Sequence, residues 1–546
     1  MRTLFGNKRH ALVGLLVAAT LACAGFALAD NSEENDAHAS SPGLALARQA
    51  VKPQKAWTTT DHSKHTALQK EFRQGADITA ACLSCHSEAD SQFHTTIHWT
   101  WIGYTDANGK RLGKAGDAIN NFCLSSNNMQ DKGCLSCHPS WSGPQSAVNC
   151  LACHSQKNIN FGEAFEDYSA FADSDDPDER ELAREIQANL HAAAQSISRP
   201  TRQNCGECHF KGGGGDGVKH GDLDTSLTKP NKALDVHMGV DGQNFECTRC
   251  HTTLQHNIAG RIYSKPAYTE RKSLIEDDLT PKITCESCHG STPHEAGHKA
   301  NDHTDKVACQ SCHIPTFARV NPTKMSWDWS QAGKLKDGKP YKETGALGKE
   351  DYLSIKGAMT WAKEVKPEYR WFNGSMQTLT VKDTIDPTTR VAVSAPVGDP
   401  RDPQSRIFPF KVHRGKQPYD KVHKTLLAPL LSGKEGYWST LDWPSALAKG
   451  QAALDVAFSG EFDFVESSYY FPTTHMVAPK QSTVGCAECH VRGSGRLNDI
   501  SGVYMPGRDR INLLDTMGWI AVLGSLLGVS LHGLGRIFSN GRKREE

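Results

Sequence analysis

Sixteen of the 18 cysteines fall into eight copies of one pentapeptide, C-x-x-C-H. The copies are Cys82-Cys85-His86, Cys134-Cys137-His138, Cys150-Cys153-His154, Cys205-Cys208-His209, Cys247-Cys250-His251, Cys285-Cys288-His289, Cys309-Cys312-His313 and Cys486-Cys489-His490. Two thiols about one turn apart, followed at once by an imidazole, are the attachment signature of c-type haem. The thiols form thioethers to the porphyrin vinyls, and the imidazole reaches the iron. Zinc ribbons need paired CxxC knuckles and have no use for a His after each one. Redox dithiols have no use for it either. The motifs therefore predict eight covalently bound haems c, with the eight motif histidines as proximal ligands.

Each iron needs a second axial ligand unless it is catalytic. The chain has 25 histidines, so 17 lie outside the motifs, and setting aside His10 and His532 near the two ends leaves 15. That exceeds eight, so counting alone does not separate an electron wire from an enzyme. Position selects His98, His220, His237, His256, His294, His303 and His475 as distal candidates, each close in sequence to a motif. Which of them serves which haem is not readable from the sequence.

One segment breaks the pattern. After His209 come Phe210, Lys211, four glycines, Asp216, Gly217, Val218, Lys219, His220, Gly221 and Asp222. A glycine run lets backbone approach a flat cofactor without Cβ clashes. Asp216 and Lys219, three residues apart, could share one side of a turn. Cys123 stands eleven residues before Cys134 and is the one cysteine beyond residue 29 outside a motif. A lysine binds a metal only as the neutral amine, so a Lys-ligated iron competes with a proton and gives up its ligand more readily than one held by imidazole. A thiolate attacks disulfide-type sulfur directly. Lys219, Asp216 and Cys123 are thus the candidate catalytic residues. Further along, Lys411 and His413 lie in a locally basic stretch that could hold an oxyanion.

These residues need elements to place them. Seven motifs lie between Cys82 and His313, with starts 52, 16, 55, 42, 38 and 24 residues apart. Such intervals are too short for separate cores, so the chain must wrap around packed haems. Residues 75–313 form the seven-haem region, 314–485 a haem-free insert packed on it, and 486–508 the eighth-haem segment. Helices are predicted over Glu181–Ala194 and Ala446–Phe458. The expected fold is mainly α with extensive coil and little sheet.

The ends carry their own signals. Arg2, Lys8 and Arg9 precede an apolar run and an Ala27-Leu28-Ala29 cleavage pattern, which reads as a signal peptide over 1–29. Residues 30–74 read as a flexible lead-in. Thr516 to Gly535 is free of formal charge and is followed by Arg536, Arg542, Lys543 and Arg544. This predicts one C-terminal transmembrane anchor over 511–538 with a cytoplasmic tail at 539–546. The expected location is periplasmic, anchored in the inner membrane. With 61 basic against 61 acidic residues the net charge is zero, which argues against nucleic acid as a partner.

The eight motifs, the GGGGDGVKHGD segment, the lone upstream cysteine and the return motif after a long insert resemble the octahaem tetrathionate reductase family over about residues 75 to 500. The resemblance implies one haem with a Lys as distal ligand and an Asp and a Cys beside it. Those roles would fall to Lys219, Asp216 and Cys123, on the haem of Cys134, Cys137 and His138. The C-terminal span departs from the soluble family pattern. The implied activity is periplasmic reduction of a small sulfur or nitrogen oxyanion, tetrathionate to thiosulfate first, with nitrite or hydroxylamine as other substrates. A membrane quinol-oxidising or cytochrome b-type protein is the expected electron donor. The alternative is a membrane-tethered multihaem carrier without a substrate of its own.

Overall fold

The computed structural model describes residues 41–50, 58–130, 132–260 and 284–542. The signal peptide at 1–29, parts of the lead-in (30–40 and 51–57) and the tail residues 543–546 lie outside the described residues. The chain divides into two units: Met1–Lys55 with Pro281–Thr304, and Ala56–Thr280 with Asp305–Glu546.

In the smaller unit a helix at Pro42–Ala50 packs on the sixth attachment motif. The Gly43 N–H donates to the Pro293 carbonyl at 3.0 Å, and His289 Nδ1 lies 3.2 Å from the Gly43 carbonyl. His294 and His298 stack with ring centres 5.3 Å apart.

The first half of the larger unit is helix and coil. Its main helices are α1 (Gly75–Leu83), α2 (Phe161–Phe171), α3 (Pro177–Gln195) and α4 (Arg202–His209). Helix α3 starts where its sequence says it should. The Asp176 carboxylate accepts from the Asp178 N–H at 2.8 Å, Pro177 occupies the first turn, and Asp178 and Glu179 face the positive end of the helix dipole. Ala183, Leu190, Ala193 and Ala194 bury one face. Together with Leu68, Phe72, Ile78 and Leu151, the last three form a core under the first and third haem motifs. Leu68 and Phe72, within the expected lead-in, are thus buried in this core.

The second half corrects the expectation of little sheet. Residues 323–472 supply a nine-stranded sheet. Its strands are β1 (Thr323–Asp328), β2 (Lys342–Thr344), β3 (Glu350–Leu353), β4 (Gly357–Ala362), β5 (Glu368–Phe372), β6 (Ser375–Thr378), β7 (Val391–Val397), β8 (Arg406–Asp420) and β9 (Phe462–Pro472). The order is β6-β7-β9-β8-β1-β4-β3-β2, with β5 also paired to β8. Strand β8 is central and buried along most of its length, as a strand covered on both faces should be. It runs antiparallel to β9, pairing Lys411 with Phe471 and His413 with Tyr469, and parallel to β1 around Gly415 and Trp327. Because side chains alternate along a strand, Lys411 and His413 share one face. Helix α5 (Trp443–Ala453), capped by Asp442, covers part of this region. It starts three residues before the predicted helix and ends five before its predicted end.

The last element, α6 (Asn512–Arg542), is long and apolar enough over Asn512–Ser539 to cross a membrane. Leu513, Trp519, Ile520, Leu526, Leu527 and Val529 are all exposed along it.

Candidate functional site

The attachment motifs share a local geometry. The His N–H closes one helical turn onto the carbonyl of the first cysteine, His86 on Cys82, His154 on Cys150, His251 on Cys247, His289 on Cys285 and His490 on Cys486, at 2.9 to 3.1 Å, and His209 and His313 end helices that contain Cys205 and Cys309. This turn puts both thiols and the imidazole on one side. Three motif histidines also face a second His. The ring centres are 6.5 Å apart for His86 and His62, 6.1 Å for His209 and His98, and 6.3 Å for His251 and His475. A metal–nitrogen bond of about 2.0 Å on each side separates two imidazole centres by roughly 6 Å. The donor set therefore fits a haem iron between each pair.

Burial, with smaller contributions from neighbouring cations, holds His209 down to about 3, and burial also lowers His98 and His251. All three are kept as neutral imidazoles, the form that binds metal. Burial would lower His475 too, but the Asp222 carboxylate, 3.2 Å from its Nδ1, outweighs that and raises it. The same contact orients the ring, as a carboxylate behind a ligating His does.

These pairings differ from what sequence proximity suggests. His98 follows the first motif but faces the fourth, and His475 precedes the eighth but faces the fifth. His62 was not among the sequence candidates at all; its only sequence signal is membership in the His62-Ser-Lys-His65 cluster. His256 lies close enough to His154 for its charge to bear on it, which places it by the third motif. His237 stacks on Phe245 at 6.2 Å, and His220 lies edge-on to Phe471 at 5.3 Å. His294 and His303 belong to the smaller unit, where His303 Nδ1 lies 2.8 Å from the Lys299 carbonyl.

The second motif stands apart. The His138 N–H bonds to Leu135 instead of Cys134, and its ring sits between Trp99 and Trp101, with centres 4.7 and 5.3 Å away. Cys208 Sγ approaches the Cys137 carbonyl at 3.7 Å, so the second and fourth attachment sites adjoin. Near them the glycine-rich loop folds back on itself. Gly213 and Gly217 take positive φ of 81° and 67°. A Cβ on Gly213 would meet Phe122 and Val218 at 3.1 Å, and one on Gly217 would meet the Pro322 carbonyl at 2.9 Å. The loop can reach β1 and the Cys123 segment because those positions carry no side chain.

Lys219 is the product of that fold. Burial, reinforced by the Lys114 charge and opposed by Cys123, holds its amine down to about 7. Close to neutral pH it is available as the neutral base that an iron requires. Cys123 also bears electrostatically on Lys324 and Tyr469, which puts its thiol among these groups. The thiol lies 3.2 Å from Ser125 Oγ and 3.4 Å from Asn120 Oδ1.

Asp216 does something else. Its carboxylate accepts from the Thr225 N–H and hydroxyl, both at 2.8 Å, and from Asn321 at 3.2 Å. Among the described residues no ion pair joins it to Lys219, so here it anchors the loop. Lys411 likewise does not reach out for an oxyanion. Its fully buried ammonium donates to the Val218 and Lys219 carbonyls at 2.9 and 3.1 Å and to Thr323 Oγ1 at 2.5 Å. The Thr323 hydroxyl in turn donates to the Gly217 carbonyl at 2.6 Å. Three hydrogens meet three acceptors, and the backbone of Lys219 is clamped to the sheet. His413 Nδ1 pairs with Asn121 Oδ1 at 3.0 Å, and its buried Nε2 has no partner among the described residues.

Comparison with known proteins agrees with this reading. A family described as cytochrome c, bacterial, matches residues 324–493, the stretch holding the sheet and the eighth motif. An uncharacterized protein of Archaeoglobus fulgidus is 24% identical over 242 residues, covering 36% of this chain and 80% of its own length. The crystal structure of an octaheme cytochrome c from Shewanella oneidensis is similar at 36% identity and a TM-score of 0.66, covering 79% of this chain and 94% of that one. Eight attachment motifs, paired imidazoles at iron-spanning distance and that likeness over most of both chains lead to one conclusion: this chain belongs to the octahaem c-type cytochromes.

Proposed function

We propose that the chain is an extracytoplasmic reductase of sulfur or nitrogen oxyanions, working at the haem site of Cys134, Cys137 and His138 with Lys219 as its displaceable ligand. The observation that carries this reading is the buried Lys219 amine, lowered to about 7, beside the Cys123 thiol and clamped through its backbone by Lys411. When bound, the haem supplies an iron that can accept a ligand and pass electrons to it. Lys219, as a neutral amine, would be one of the residues that hold this iron and could let go of it by taking a proton. His138 would hold it as the ligand of the attachment motif. Cys123, as thiolate, can attack a sulfur of tetrathionate, releasing one thiosulfate and leaving the other half bonded to the cysteine sulfur. Two electrons then release the second thiosulfate and restore the thiolate. Nitrite or hydroxylamine reduction would need no thiol attack.

The donor is a membrane quinol-oxidising or cytochrome b-type protein, with α6 holding the chain at the inner membrane. The same exposed helix supports the second reading, a membrane-tethered carrier without its own substrate.

Lys219→Ala should keep all eight haems attached, since no attachment residue changes, and should turn one haem high-spin with water in place of the amine. Lys219→His should stay low-spin and lose most turnover, because imidazole meets less proton competition near neutral pH. Cys123→Ala should impair tetrathionate reduction far more than nitrite or hydroxylamine reduction. Unchanged spectra and turnover in Lys219→Ala would leave the carrier reading in its place.

A further inference from the structure

Lys324 is a buried amine with no oxygen partner among the described residues. Its side chain is 4% exposed, and its Nζ contacts Met359 Sδ at 2.9 Å and lies over the Trp327 and Trp361 rings at 3.5 and 5.0 Å from their centres. The Glu350 carboxylate bears on it, and no ion pair joins the two among the described residues. Burial and the Lys356 and Lys411 charges push its amine well below the usual lysine range, so the cage alone favours the neutral form. An anion beside the amine would favour the ammonium.

The neighbours point the same way. Cys123 packs on the cluster that contains Trp327 and Met359, and its charge bears on both Lys324 and Lys219, so the thiol neighbours both amines. The charges of Lys324 and Lys411 both bear on His413, whose buried Nε2 has no partner among the described residues. Outward from the cage, Lys349 sits over Trp361 at 5.3 Å, and Lys356 over Trp327 at 6.0 Å and Trp438 at 5.5 Å. Both are half-buried. They form a cationic lane along an aromatic floor from the surface to Lys324, an arrangement that concentrates anions and speeds their arrival.

We infer that Lys324, entered past Lys349 and Lys356, is the anion-binding group beside Cys123, so that the site takes small anions in preference to neutral molecules of similar size. The biological ligand rests on the reductase reading; the anion site itself does not.

The test uses the holoprotein and two alkylating reagents of nearly equal size, anionic iodoacetate and neutral iodoacetamide. With sixteen cysteines bound as thioethers, Cys123 is the thiol left to alkylate once the signal segment is removed. Both reagents attack the same sulfur, so the thiolate fraction cancels in the ratio of their rates, read by mass on the Cys123 peptide. The native ratio should exceed that of 2-mercaptoethanol by about tenfold. Lys324→Met should remove most of this preference and Lys324→Arg should keep it. Should Lys324→Met fail to mature with eight haems, Lys356→Gln at the mouth of the lane should lower the iodoacetate rate and leave the iodoacetamide rate alone. A native ratio no higher than that of mercaptoethanol, or one unmoved by these substitutions, would overturn the inference. Loss of all reductase activity in native protein with the ratio intact would count against the reductase reading alone.

Discussion

At the scale of the residue, Lys411 and Thr323 fix the backbone that carries Lys219. The Lys411 ammonium joins two consecutive carbonyls of the glycine-rich loop to strand β1, and Thr323 closes the arrangement on Gly217. A displaceable ligand works when the alternative positions of its chain are few, and this clamp restricts them. Lys411→Met and Thr323→Val should each retain eight haems, raise the high-spin fraction of one haem, and tighten cyanide binding there by about tenfold, as expected when a competing ligand loses its preorganisation. The double variant should add little to either single one, because both break the same linkage. Low-spin Lys/His spectra unchanged in both single variants would show that the clamp does not position Lys219.

At the scale of the element, the sheet is the frame. Strands β8 and β1 present Lys411, His413, Thr323 and Lys324 to the loop and to Cys123, and the β8–β9 ladder of eleven pairs holds their register. The far end of β8 is tied by Asp420. Its carboxylate accepts from the N–H groups of Val422, His423 and Ser459 at 2.7 to 2.9 Å and from the Ser459 hydroxyl at 2.9 Å. Burial alone would raise Asp420, but those donors outweigh it and lower it. A carboxylate lowered in the folded state adds stability that is fully present above its unfolded value and disappears as pH falls through its folded value. Asp420→Asn should therefore lose about 1–3 kcal/mol near neutral pH. The difference in urea midpoint from native protein should shrink toward pH 3; a constant difference would mean the carboxylate charge is not what matters.

At the scale of the whole larger unit, the attachment sites form a connected set. Cys82 adjoins Cys150, Cys205 adjoins Cys247 and Cys137 adjoins Cys208, so the first attachment site neighbours the third, the fourth the fifth and the second the fourth. The Ala478 N–H donates to the His313 carbonyl and the Val484 N–H to the Cys312 carbonyl, which ties the segment between His475 and the eighth motif to the seventh. The fourth site is thus a neighbour of the second. Arg508 completes the eighth-haem segment, donating to the carbonyls of Leu497, Ile500 and Val503 and pairing with Asp509. A chain cut after Arg510 should keep these bonds, carry eight haems by pyridine haemochrome assay, and appear in the soluble fraction with dye-driven activity intact. The full chain should stay with membranes through a carbonate wash. Its release by carbonate would remove α6 as an anchor.

Haem chemistry was legible in the sequence because covalent attachment is local: two thiols and an imidazole within five residues carry it, whatever surrounds them. The start of α3 was legible for the same reason, since Asp176 and Pro177 act on their own turn. The nine-stranded sheet was not, because Pro396, Pro409 and Pro418 interrupt its long strands and read as breakers, while Met376, Tyr369 and Phe464, 20, 40 and 46 residues away, stand opposite them in the sheet. Distal ligands were beyond reach for a related reason. His98 faces His209 and His475 faces His251 across more than 100 residues, and only the tertiary fold sets such distances. Lys219 and Cys123 stood out by residue type and setting. That Lys411 is spent on carbonyls, that Asp216 anchors a loop, and that Lys324 has no oxygen partner among the described residues were decided by three-dimensional packing, because a polar group's role depends on which partners it meets once water is gone.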